Sequence, residues 1–174
     1  MQKLNFIKGK TFDSRQEFIN YKNEFKYLLE NDTVIQMKDI DHHYETSCFA
    51  HSLYVSYYSY CICKKLSLDF KSAGRAGLLH DLFLYDWRRH DTHQGLHGFS
   101  HPKTALNNSM KICDLNKKEQ DAIVKHMWPL TFKLPKYKES YVVSIVDKYC
   151  TLVEFARHCN ILVKQTVSQK RLLQ

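Results

Sequence analysis

The stretch Gly77-Leu78-Leu79-His80-Asp81-Leu82-Phe83-Leu84-Tyr85-Asp86-Trp87 sets an imidazole and a carboxylate side by side at the end of an apolar run. Asp69 stands upstream where a helix N-cap would, so the run reads as a helix from Asp69 that ends near His80. Two polar groups at the end of an apolar helix need strong partners, and those partners must come from elsewhere in the chain.

Working outward, the remaining segments read as further helices. Ser14 and Glu17 have the spacing of a capping box, and Phe18, Tyr21, Phe25, Leu28 and Leu29 follow at helical intervals, which predicts one amphipathic helix over 14–31. Thr46 or Ser47 caps a second, running through Phe49, Leu53, Tyr57, Tyr60 and Cys61 to about Leu66. The helix from Asp69 is the third. Ser100 before His101-Pro102 marks a fourth start, because proline is tolerated in a first turn. Asn116 with Glu119 opens a fifth, which Pro129 closes. Ser140 opens a sixth with Val143, Val146, Cys150 and Val153 on one face, and a basic amphipathic tail over 160–174 forms a last one. No β-alternation of useful length and no internal repeat interrupts the pattern, and the longest loop candidates are 86–99 and 130–139. The expectation is an all-α bundle of six to seven helices in one domain over 1–174, with its core at about 42–157.

Composition agrees with that reading. The chain of 174 residues has room for one sizeable core, and with only 5 Gly and 3 Pro it has little material for the turns of a many-stranded fold. The amino terminus lacks the apolar run of a signal peptide, and no stretch approaches the roughly 20 apolar residues that span a bilayer. A cytoplasmic protein without membrane contact is expected. Cys48, Cys61, Cys63, Cys113, Cys150 and Cys159 include no Cys-x-x-Cys pair and read as reduced core thiols. The formal charge of +8 favours an anionic partner, without deciding between a phosphorylated small molecule and nucleic acid.

Ten histidines are many for this length, and position separates them. His51 lies between Phe49 and Leu53, His126 beside Ile123 and Met127, and Asp147 directly after Val146 in the apolar stripe of the sixth helix. Burying these groups costs several kcal/mol unless each is paired, and a divalent cation pairs them together. His80 and Asp81 then read as metal ligands. His42, His43, His90, His93 and His158 read as surface or loop residues.

The ordered series His51, His80-Asp81, His101, His126 and Asp147 resembles the HD superfamily of metal-dependent phosphohydrolases, in the version with two extra histidines and two metals. The resemblance covers roughly 42–157. It implies that His51, His80, Asp81 and Asp147 hold one divalent transition ion and that Asp81 bridges to a second held by His101 and His126, with Asp81 and His80 at the catalytic centre. Imidazole and carboxylate ligands suit iron, manganese, nickel or zinc, with iron or manganese favoured. Two such ions lower the pKa of a shared water toward 7 or below and polarise a phosphoryl oxygen. Arg88, Arg89, His97, Lys103 and Lys148 are candidates for binding phosphate oxygens, with Lys148 facing either substrate or solvent, and Trp87 and Phe99 read equally as core packing or as covering the metals or stacking on a base.

Within that superfamily the branch that cleaves cyclic dinucleotides carries a lysine after the His-Asp pair and a Gly-Tyr-Pro signature after the second extra histidine. Here those places read Leu84 and Met127-Trp128-Pro129. The series is more similar to small stand-alone hydrolases, including those that split diadenosine tetraphosphate, so a nucleotide or other small phosphoester is the expected substrate. A di-iron oxygenase of the same superfamily is the alternative; Tyr44 and Glu45 are residues of the sort that could gate one, but they read better as a helix entrance. A non-catalytic nucleic-acid or signalling module ranks last, because the Lys and Arg residues are spread along the chain and not gathered with aromatics.

Overall fold

The computed structural model describes residues 15–42, 46–89 and 96–172, with side chains described as far as Ile161. These residues form eight α-helices and one 3₁₀ helix, with no strand, an all-α architecture. In chain order they are α1 (Arg15–Glu24), α2 (Lys26–Leu29), α3 (Asp32–Ile35), the 3₁₀ turn Gln36–Asp39, α4 (Cys48–Lys65), α5 (Phe70–Leu79), α6 (His97–Ile112), α7 (Lys117–Lys125) and α8 (Lys138–Leu172). No helix among the described residues is long and apolar enough to cross a membrane.

Three helix starts fall where side-chain chemistry predicts. Ser47 Oγ accepts from Ala50 N–H at α4, Asp69 Oδ1 from Ser72 N–H at α5, and Asn116 and Glu119 form a reciprocal capping box at α7.

Three expectations need correction. The helix foreseen over 14–31 breaks at Phe25, whose ring turns into the core against Tyr21 and Tyr60, and Asn31 caps α3 instead of ending a longer helix. Ser14 itself lies outside the described residues. The fourth helix starts at His97, not Ser100, because Ser100 is already inside a turn: its N–H and its hydroxyl both donate to Leu96 O. Pro102 therefore sits within α6, where its missing N–H leaves only the Gly98 carbonyl without an intrahelical donor. The sixth helix and the tail are one 35-residue helix, α8, since no Gly or Pro occurs between Lys138 and Leu172 to end it.

α4 and α5 form a hairpin joined by the short connection 66–69, so the start of α4 lies beside the end of α5. Gly77 sets their separation, as a Cβ there would meet Ser56 Cα at 2.8 Å. A relay ties the opening helices to this pair: Tyr21 OH donates to Ser56 Oγ (2.7 Å), which donates to Gly74 O (2.6 Å). Arg75 of α5 grips the buried Glu119 of α7 through Nε and Nη2 at 2.8 and 2.7 Å. At the head of α8, Glu139 accepts from Asp69 N–H and from Lys118 Nζ. The start of α4, the ends of α5 and α7, the start of α6 and the middle of α8 meet in one place. All six cysteines are free, and burial pushes Cys61 and Cys63 up to about 11 and about 12, which suits core thiols rather than reactive ones.

Candidate metal centre

The six residues of the series His51, His80, Asp81, His101, His126 and Asp147 converge, and none is more than 7 % exposed. His51 comes from the first turn of α4, His80 caps the C-terminus of α5 with Asp81 next to it, His101 lies in the second turn of α6, His126 caps the C-terminus of α7, and Asp147 projects from α8.

Asp81 stands between two groups of imidazoles. Its Oδ2 lies 3.1 Å from His42 Nε2 and 3.4 Å from His80 Nε2, while its Oδ1 lies 3.2 Å from His101 Nε2 and 3.5 Å from His126 Nε2. Asp147 Oδ1 lies 3.1 Å from His51 Nε2 and 3.7 Å from His80 Nε2.

Hydrogen bonds on the far side of each ring fix what faces inward. Nδ1 of His80, His101 and His126 lies 2.7–2.8 Å from the carbonyl oxygens of Gly77, His97 and Ile123, respectively. A carbonyl only accepts, so Nδ1 carries a proton and Nε2, the atom a metal would take as ligand, is the one turned to the centre. His101 and His126 bring these Nε2 atoms within 2.8 Å of each other. His80 Nε2 and Asp81 Oδ1 are fully buried with no hydrogen-bond donor or acceptor matched to them. Lone pairs and carboxylate oxygens packed this way repel unless positive charge lies among them. Three overlapping buried triads, His42-His51-Asp81, His51-His80-Asp147 and His80-Asp81-His126, are placed to hold metal ions.

The electrostatics point the same way. Burial alone pushes the Asp81 and Asp147 carboxyls up, yet the surrounding imidazoles outweigh it and hold both well below the usual carboxylate range. Burial, helped by His80 and His101, pushes His126 down to about 3, which keeps that ring neutral and its lone pair available. His51 moves oppositely: burial lowers it, but its bonds to Asp147 and Glu154 bring it up to about 9.

Two residues join the centre that the sequence reading had not placed there. His42, read as a surface or loop residue, is buried, reaches Asp81 and stacks on His51 with ring centroids 3.8 Å apart. The bridge Asp41–Ser47 and the bonds His42 N–H to Thr46 O and Cys48 N–H to Ile40 O hold it there, outside any helical periodicity. Glu154 is buried and lies 3.0 Å from His51 Nδ1 through Oε1. Its spacing of seven from Asp147, two turns on the same face of α8, was the available signal. His158, read as surface, is half-buried, whereas His43, His90, His93, Tyr44 and Glu45 lie outside the described residues.

The candidate phosphate-binding residues divide. A cavity of about 720 Å³ opens over the cluster, lined in part by His97, Lys148 and Thr151. His97 stacks on His101 and hydrogen-bonds Tyr85 OH, and Lys148 Nζ donates to His126 O and to Asp147 Oδ2. Arg88 instead pairs with Asp41 at 2.8 Å beside the Trp87 ring, Arg89 and Lys103 are exposed, and none of the three lines the cavity. Trp87 stacks on His97 and donates to Asp41 O, while Phe99 is exposed.

No protein-family model, curated protein or solved structure matches the chain.

Proposed function

We propose that this chain is a metal-dependent phosphohydrolase of the HD superfamily type, acting on a small phosphoester. The observation that carries this reading is Asp81, whose two carboxylate oxygens face opposite groups of imidazoles. In this reading His51, His80, Asp81 and Asp147 hold one divalent ion, and Asp81, His101 and His126 hold a second. A donor set of imidazoles and carboxylates without thiolate suits iron or manganese. Bound divalent ions supply Lewis acidity, which acidifies water and neutralises charge building on a phosphoryl oxygen. The protein's own groups do the rest. Carbonyls on α5, α6 and α7 fix the tautomers of His80, His101 and His126, and Glu154 orients His51. Lys148, on the cavity wall, offers an ammonium to a phosphate oxygen. In the overall reaction the oxygen of water bonds to phosphorus, the phosphorus–oxygen bond to the alcohol breaks, and the alcohol leaves with a proton from that water.

The test is elemental analysis of anaerobically purified protein, joined to a phosphoester and nucleotide panel run with and without oxygen. About two transition-metal ions per chain and oxygen-independent phosphate release are expected. Oxygen consumption without phosphate release would assign the centre to oxygenase chemistry. Salt-sensitive binding of nucleic acid by a metal-free, inactive protein would favour a binding module.

A further inference from the structure

The His/Asp cluster is only the floor of its cavity. The walls come from Met127, Pro129 and Leu130 after α7, from Leu152 on α8 and from Gly98 on α6. Gly98 lies close against this wall, where a Cβ would approach Leu130 Cδ2 at 3.3 Å. Leu130 and Leu152 are half or more exposed, so their apolar surface is still open to a ligand. Among the described lining residues Lys148 is the one Lys or Arg, and Asp81 and Asp147 are carboxylates. Thr151 is the sole uncharged hydroxyl or amide side chain among the described lining residues, and its hydroxyl donates back to Asp147 O within its own helix.

Resting on the hydrolase reading above, we propose that this cavity takes a soluble phosphate monoester whose alcohol is apolar, and not a nucleotide or polyphosphate. Charge matching supports it. Two divalent ions and one ammonium set against Asp81, Asp147 and Glu154 leave a surplus of about two positive charges, the amount a single phosphate dianion neutralises. A polyphosphate brings more charge than one lysine can meet, and the arginines that would supply the rest lie elsewhere, with Arg88 committed to Asp41. The walls decide the other end of the ligand. A nucleobase or ribose held there would bury several donors and acceptors against Met127, Pro129, Leu130 and Leu152, which offer none in their side chains. An alkyl or aryl group loses nothing there, and it removes the open surface of Leu130 and Leu152 from water. About 720 Å³ accommodates a phosphate with a medium chain or a ring system.

The test is titration calorimetry of the metal-loaded protein with non-hydrolysable phosphonates, methyl, butyl, hexyl and phenyl, beside adenosine monophosphate and diadenosine tetraphosphate. Metal content is read on the same sample. Affinity should rise roughly two- to fourfold per added methylene until the cavity is filled, and hexyl- and phenylphosphonate should exceed both nucleotides. Leu130→Ser combined with Leu152→Ser, both exposed positions, should flatten the chain-length series. A flat series in the parent protein, or tighter binding of either nucleotide, overturns the proposal and leaves the hydrolase reading standing if the metals are present. Absence of bound metal overturns both. Co-sedimentation with phosphatidylcholine vesicles carrying phosphatidic acid would replace the soluble ester with a membrane lipid and overturn this proposal.

Discussion

The Nε2 atoms of His101 and His126 face each other at 2.8 Å, and each ring commits its Nδ1 to a backbone carbonyl behind it. At that distance the pair is held together either by a proton shared between the two nitrogens or by a cation that both ligate, and the metal reading takes the second. His101→Ala or His126→Ala should therefore lose one metal ion before the other, leaving about one per chain by elemental analysis. Equal loss of both ions would mean that the ligands are divided differently.

Asp81→Ala removes the group that both sets of imidazoles share. It should abolish retention of both ions and, with them, phosphate release. Retention of about two ions per chain in this variant would sink the assignment.

Glu154 touches the centre only through the histidines His51 and His42. Glu154→Gln should weaken metal binding by roughly 10- to 100-fold while leaving far-ultraviolet circular dichroism unchanged. Titration of the metal-free protein with manganese checks it, and an unchanged affinity would reduce Glu154 to packing.

Away from the centre, Glu119 accepts two bonds from Arg75 and one from Asn116 N–H while fully buried. Glu119→Ala frays the start of α7 and frees α5 from it, at a cost of about 2–3 kcal/mol in urea unfolding. Arg75 is partly exposed and swings into water, which keeps the loss from being larger.

Asp69 and Glu139, like Asp121, add to the pH dependence of stability outside the metal centre. Burial raises both, but hydrogen bonds from Ser72 to Asp69, and from Lys118 and backbone N–H groups to Glu139, outweigh it and place both below their ordinary values of 3.8 and 4.5. A carboxyl lowered on folding adds stability above its unfolded pKa and loses it as pH falls through its folded pKa. The melting temperature should be level with respect to these two groups near neutrality and fall below about pH 4.5. Asp69→Asn combined with Glu139→Gln should be less stable at pH 7 and flatter in that acid range.

The parts readable in the sequence were those governed by local chemistry. Ser47, Asp69 and Asn116 begin helices because each satisfies N–H groups two or three residues on, a bond that needs nothing distant. The start of α6 escaped that logic because Leu96 offers no side-chain cap, and Ser100, which looked like one, is spent on Leu96 O. The break at Phe25 is set by the approach of Gly74, where a Cβ would meet Phe25 Cζ at 2.7 Å, a neighbour 49 positions away in the chain. The series of six histidines and aspartates was visible because each sits at a helix end or on an apolar stripe. His42 was not, because it is delivered by irregular chain whose direction comes from the Asp41–Ser47 bridge.

Gly77 carries no reactive group, yet it governs the centre twice: its bare Cα lets α4 and α5 touch, and its carbonyl orients His80. An alanine there would drive a methyl into the Ser56 backbone and wedge the hairpin open at the end where His51 and His80 meet. Tolerance to mutation is therefore narrow at a residue that an inventory of candidate ligands would omit, and loss of cation affinity can arise from a substitution that alters none of them.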